Sequence, residues 1–102
     1  NAVYNYTLSN FQKVITLDSV SEEAAVTKNA FCKYFKKRTN KTYTTFLNEL
    51  RIEKACSLLQ TKTEYTIAEI AEKSGFQNIS NFNRKFKQFK NVSPREFRKN
   101  SK

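Results

Sequence analysis

The 102-residue sequence predicts an all-α domain, on three observations. It holds a single Gly, Gly75, and a single Pro, Pro94, so helix breakers are almost absent. No stretch alternates β-branched and polar residues as a half-buried strand would. The third observation is a set of well-marked helix starts. Six or seven helices are expected, at roughly 2–9, 17–24, 28–38, 43–60, 67–73, 79–90 and 95–99.

Each start has a chemical reason. Thr16 before Leu17 and Thr27 before Lys28 are N-cap residues, whose hydroxyls can accept otherwise unpaired first-turn amides. Thr66-Ile67-Ala68-Glu69 is a capping box, in which hydroxyl and carboxylate satisfy one another's backbone amides. Asn78 precedes an aromatic-rich stretch as another cap. Ser93-Pro94-Arg95-Glu96 is a second box, with Pro at the position where no amide is needed.

The chain also repeats itself. At a separation of 51, Phe31, Phe35, Lys36, Asn40 and Phe46 match Phe82, Phe86, Lys87, Asn91 and Phe97, and Lys33 corresponds to Arg84. Upstream the separation is 50: Thr16, Leu17, Val20 and Glu22 match Thr66, Ile67, Ile70 and Glu72. Gln77 is the extra residue. Each half is a short helix, a tight turn and a longer helix, too small to be stable alone. The division expected is residues 1–41, a connecting helix over 42–61, and residues 62–102. Phe46, Leu47, Leu50, Ala55, Leu58 and Leu59 are the expected core positions of the connector. Its roughly 27 Å would hold the halves as a rod.

Composition narrows the function. No His is present, which removes the usual general base and the commonest metal ligand. One Gly cannot build a phosphate loop. Cys32 and Cys56 are too far apart for a CxxC motif and too few for a disulfide scaffold. Neither an enzyme nor a cofactor is expected. Free thiols suit a reducing, cytoplasmic setting. A chain without an initiator Met reads as a processed or excised piece, and no run approaches the length of a membrane span. Nineteen basic against nine acidic residues leave a formal charge of +10, which calls for a polyanionic partner.

A helical wheel set on Phe31 places Phe35 and Tyr34 beside it as an inward aromatic stripe. Asn29, Lys33 and Lys36 lie opposite, with Cys32 and Lys37 at the edges. Set on Phe82, the wheel groups Phe86 and Phe89 inward, and Ser80, Arg84 and Lys87 outward. Most charged helix faces are merely solvated. These lack balancing acids at i,i+4, mix Asn, Ser and Arg with Lys, and occur twice on one connector. Lysine alone suits phosphate; the mixture suits the reading of base edges.

Thr66 to Arg98 resembles the DNA-binding domain of the AraC/XylS family of bacterial transcription regulators. The stretch TIAEIAEKSGFQNISNFNRKFKQFKNVSPREFR carries Ile70-Ala71 before a Gly75-Phe76 turn. Phe82-x-Arg84-x-Phe86-Lys87 follows, then Ser93-Pro94 with Phe97-Arg98. ITLDSVSEEAAVTKNAFCKYFKK, LRIEKACSLL and the opening VYNYTLSNFQKVITL fit more loosely, so the similarity spans nearly the whole chain.

The resemblance implies a seven-helix fold, with two helix-turn-helix units joined by a long central helix. Recognition helices starting at Lys28 and Ile79 would enter successive major-groove segments about one helical turn apart. Carried across, the base-reading positions are Asn29, Cys32 and Lys33, then Ile79, Ser80, Asn81 and Arg84. The wheel selects Asn29, Lys33, Ser80 and Arg84 independently. Ile79 either meets a thymine methyl or packs. Thr16, Thr27, Lys36, Thr66, Asn78 and Lys87 are the phosphate candidates.

The family further implies double-stranded DNA and RNA polymerase as partners, an activator role, and a sensing or dimerisation domain outside this chain. Asn40 and Asn91 replace the Gly usual after each recognition helix. Ala25 stands where the second half has Gly75, and Ser21 replaces a small apolar Ala. Cys56 reads as a small core residue, and Cys32 as incidental rather than a redox switch. The alternatives are a structural RNA-binding protein without sequence preference and a peripheral membrane binder. The inward use of the Phe side chains argues against the second.

Overall fold

A computed structural model describes residues 2–100. It contains seven α-helices: α1 (Ala2–Asn10), α2 (Leu17–Glu23), α3 (Lys28–Thr39), α4 (Tyr43–Thr61), α5 (Ile67–Lys73), α6 (Ile79–Lys90) and α7 (Pro94–Asn100). No strand occurs among the described residues, and every expected helix is present to within one residue at either end. The caps fall where their chemistry places them. Thr66 and Glu69 close a reciprocal box, Thr16 closes one with Ser19, and Ser93 and Glu96 exchange bonds of 3.2 and 3.1 Å.

Two cores lie at opposite ends of an elongated molecule of 44 × 23 × 21 Å. Val20, Phe31, Tyr43 and Leu47 form the first, with Phe11, Ile15, Phe35 and Phe46 packed against it. Ile52, Ala55, Cys56, Leu59, Ile70, Phe76, Phe82 and Phe86 belong to the second. Helix α4 serves both, changing its buried face along its length. That change hid Tyr43 and Ile52 from a single-stripe reading of the connector, although both are buried. Tyr43 also ties α1 to α4, because its hydroxyl lies 2.6 Å from that of the buried Thr7. Burial pushes the Tyr43 phenol above its ordinary pKa.

The aromatic stripe of α3 needs one correction. Phe31 is buried and Phe35 half-buried, but Tyr34 is 56% exposed, with the Arg38 guanidinium 5.4 Å above its ring. Tyr34 lines an open cleft with Val3, Phe31 and Phe35 that no further element covers, so its side of α3 stays exposed.

The two tight turns share one geometry. In the first, the Ala25 amide donates to Glu22 O and the Val26 amide to Ser21 O. In the second, Gly75 donates to Glu72 O and Phe76 to Ala71 O. This is the paired closure of a helix by a left-handed residue. Ala25 adopts φ 59° and Gly75 φ 105°. Ser21 fits because its buried hydroxyl donates to Asp18 O at 3.1 Å. Asn40 and Asn91 end α3 and α6 at φ 63° and 65°, a conformation Asn tolerates better than most residues.

The turns differ in what surrounds them. A Cβ on Gly75 would stand 2.5 Å from Phe11 O and 2.8 Å from Arg51 Nε. Ala25 is exposed, so only its backbone strain counts. Thermal unfolding should therefore show opposite effects. Ala25→Gly should stabilise by up to about 1 kcal/mol, relieving left-handed strain less the added chain entropy. Gly75→Ala should cost at least about 2 kcal/mol, from strain and collision together.

Candidate nucleic-acid interface

Helices α3 and α6 present equivalent faces. Asn29, Cys32, Lys33 and Lys36 on α3 are all exposed, as are Ile79, Ser80, Arg84 and Lys87 on α6. Their inward sides carry Phe31 in one case and Phe82 with Phe86 in the other. Packing on one side thus forces the polar side outward. Ile79, at the start of α6, is 44% exposed.

The capping residues have a dual capacity. The hydroxyls of Thr16, Thr27 and Thr66 accept the amides of Ser19, Ala30 and Glu69 at 3.0–3.2 Å. Each can still donate its own hydrogen outward. Asn78 Oδ1 accepts the Asn81 amide at 2.9 Å, and its side-chain NH2 can donate. All four caps are exposed, and the N-terminal dipole of each helix favours an anion there. The last turn of α3 carries Lys36, Lys37 and Arg38, and that of α6 carries Lys87 and Lys90. Lys90 is turned toward α4 and pairs with Glu53 at 2.8 Å, which raises its pKa. Lys28 pairs with Asp18 at 3.3 Å across the first turn, an exposed contact of little energetic weight.

Asn81 is half-buried, and its Oδ1 accepts a hydrogen bond from Arg84 Nη2 at 2.8 Å. The carbonyl end is thus used within the helix, and the guanidinium is held on the outer face. A cleft gathers Asn78, Ser80, Asn81 and Arg84 together with Val14 and Gln77. Val14 and Gln77 were not among the expected site residues. Gln77 carried a signal, as the one residue breaking the repeat just before α6. Val14 carried none, because the α1–α2 connection meets α6 only through tertiary packing.

Among the described residues, no helix is long and apolar enough to cross a membrane. Two of the boxes should make stability acid-sensitive. The Thr66 and Ser93 amides hold the Glu69 and Glu96 carboxyls below the ordinary carboxylate range. Groups depressed in the folded state stabilise it fully above their unfolded pKa and lose that contribution as pH falls through the folded value. The melting temperature should thus be insensitive to these groups near neutrality and drop below about pH 4. The Glu69→Gln/Glu96→Gln double variant should show a shallower acid decline by circular dichroism. An unchanged decline would assign it to other carboxylates.

The sequence pattern of the helix-turn-helix domain family matches residues 20–100. The HTH-type transcriptional regulator YdeC of Bacillus subtilis is 30% identical over 95 residues, covering 93% of this chain and 32% of YdeC. The chain therefore spans about a third of that relative's length. The C-terminal domain of the two-component response regulator yesN from Fusobacterium nucleatum is 31% identical with a TM-score of 0.88, covering 94% of this chain and 93% of that one. A probable AraC family regulator from Rhodopseudomonas palustris shares the fold at TM-score 0.88 and 22% identity, covering 99% and 94%. The chain belongs to the helix-turn-helix domain family, as an AraC-type DNA-binding domain of transcription regulators.

Proposed function

We propose that this domain reads two short sub-sites in successive major-groove segments of double-stranded DNA, one with α3 and one with α6. The observation that carries this reading is the duplicated geometry. Both helices start at an exposed polar cap, turn equivalent polar positions outward and end at a left-handed Asn. A molecule 44 Å long can bridge a helical repeat of about 34 Å.

In this assignment Asn29, Cys32 and Lys33 face bases in one segment, and Ile79, Ser80, Asn81 and Arg84 in the next. Arg84 suits the two acceptors of guanine, while Ile79 suits a thymine methyl. Asn81 has its carbonyl engaged and would offer its NH2. Thr16, Thr27, Lys36, Thr66, Asn78 and Lys87 take phosphates, and counterion release supplies much of the affinity. Residues 1–41, 42–61 and 62–102 serve as first reader, connector and second reader. Residues 1, 101 and 102 lie outside the described region.

Binding proceeds without catalysis or cofactor. The whole protein works in the bacterial cytoplasm as an activator that contacts RNA polymerase, governed by a sensing or dimerisation domain outside this chain. These assignments are supported by the family and by the share of YdeC left uncovered.

Selection from a random duplex pool at near-physiological salt tests the paired reading. Two enriched sub-sites about one turn apart are expected; tight binding without enrichment would leave a non-specific polyanion binder. On the selected site, Arg84→Ala should lose about 1–3 kcal/mol and relax one base position. Lys87→Ala should weaken all sequences alike and reduce the salt slope by about one. Equal weakening by Arg84→Ala on every sequence would remove its reading role.

A further inference from the structure

The two readers are joined twice. Helix α4 is one connection. The other is the segment from Phe11 to Ile15, which runs from α1 into the cap of α2. Its ends, Phe11 and Ile15, pack into the first core. Its middle crosses to the second half, where Gln12, Lys13 and Val14 line a cleft with Gly75, Gln77 and Ile79.

Arg51, halfway along α4, holds this strap. Its Nε donates to Phe11 O at 2.8 Å and its Nη2 to Lys13 O at 3.0 Å. A planar guanidinium can make both bonds from one rigid fork, which an ammonium cannot. Gly75 completes the joint, because Phe11 O and Gln12 Cα sit where its Cβ would be, 2.5 and 3.1 Å away. Three residues beyond Lys13 stands Thr16, a phosphate candidate of the first reader. Two residues beyond Gln77 begins α6, the second reader. The inserted Gln77 lies in the turn that meets the strap, so the break in the repeat coincides with the interface between the halves.

We infer that Arg51 is a positioning residue that sets the spacing between the two DNA-reading helices by pinning the Phe11–Lys13 strap of the first half against the Gly75 turn of the second. The inference rests on the paired reading of DNA proposed above. A rigid spacing rewards duplexes whose sub-sites match it and rejects those displaced by one base pair, because ordering is supplied in advance of binding. Loosening the joint should therefore cost spacing discrimination while leaving each reading surface intact.

Two readouts decide this. Spin labels on Cys32 of α3 and on Gln88→Cys of α6, in a Cys56→Ala background, report the distance between the readers without DNA. A single narrow distribution is expected for the parent chain, and a broad one for Arg51→Gln. Arg51→Lys keeps the charge and one hydrogen bond, and should broaden it less; it also serves if Arg51→Gln fails to fold. Binding is then measured to the selected duplex and to one with a base pair inserted between its sub-sites. The parent chain should lose about tenfold or more on insertion, and Arg51→Gln only about threefold or less.

A folded Arg51→Gln with a narrow distribution, or with the parent's full sensitivity to insertion, overturns the inference. Equal binding of the parent chain to both duplexes overturns the paired reading itself. The spin-label widths still decide in that case whether Arg51 holds the two helices.

Discussion

The contact of Phe11, Arg51 and Gly75 is the constraint on which the arrangement of the two halves depends. Two small helical cores sharing one long helix are free to bend about it unless a second connection closes the loop. Here the second connection is backbone. The strap lies so close to the second turn that only a residue without a Cβ fits there. Two of its carbonyls, those of Phe11 and Lys13, accept from one guanidinium. Burial lowers the Arg51 pKa from its ordinary value, yet the guanidinium stays charged. Its charge-assisted hydrogen bonds offset that desolvation.

The halves reach the same backbone by different packing. Phe76 follows Gly75 and stacks edge-on against Phe82, their centroids 5.2 Å apart, inside the second core. Val26 follows Ala25 and is largely exposed, so the first turn contributes little to its core. The first half compensates with aromatic contacts from elsewhere. Tyr43 packs edge-on against Phe31 and Phe35 at 5.3 and 5.4 Å, and Val3 and Tyr6 of α1 pack against the same core. Aromatic side chains thus carry much of both cores in a chain of only 38% hydrophobic content, with Tyr4 and Tyr34 left exposed.

The charge follows from the same economy. With Phe31, Phe82 and Phe86 buried inward, the outer faces of α3 and α6 are left to Lys, Arg, Asn and Ser. Few acids neutralise them, and the ion pairs formed by Lys41 and Lys90 use α4 carboxylates away from those faces. The helix N-termini add amide donors next to exposed caps, so a cationic surface and its mixed polar side chains arise from one packing decision.

All seven helices were legible in the sequence because their determinants are local. Thr66 with Glu69, Ser93 with Pro94 and Glu96, and Asn78 each act within one turn of chain. The outward positions Asn29, Lys33, Ser80 and Arg84 followed from helical periodicity once Phe31 and Phe82 marked the inside. Tyr34 was misplaced because periodicity defines a face but not whether another element covers it. Ile52 and Tyr43 escaped because α4 changes partners along its length. The bond between Asn81 and Arg84, and the closeness of Val14 and Gln77 to the second reader, needed side-chain geometry and chain crossing. The sequence by itself determined the elements, their caps and their inward faces, since these depend on neighbours three or four residues away. Tertiary structure alone decided how the halves are held together, since Arg51 meets Phe11 and Lys13 across about forty residues of chain.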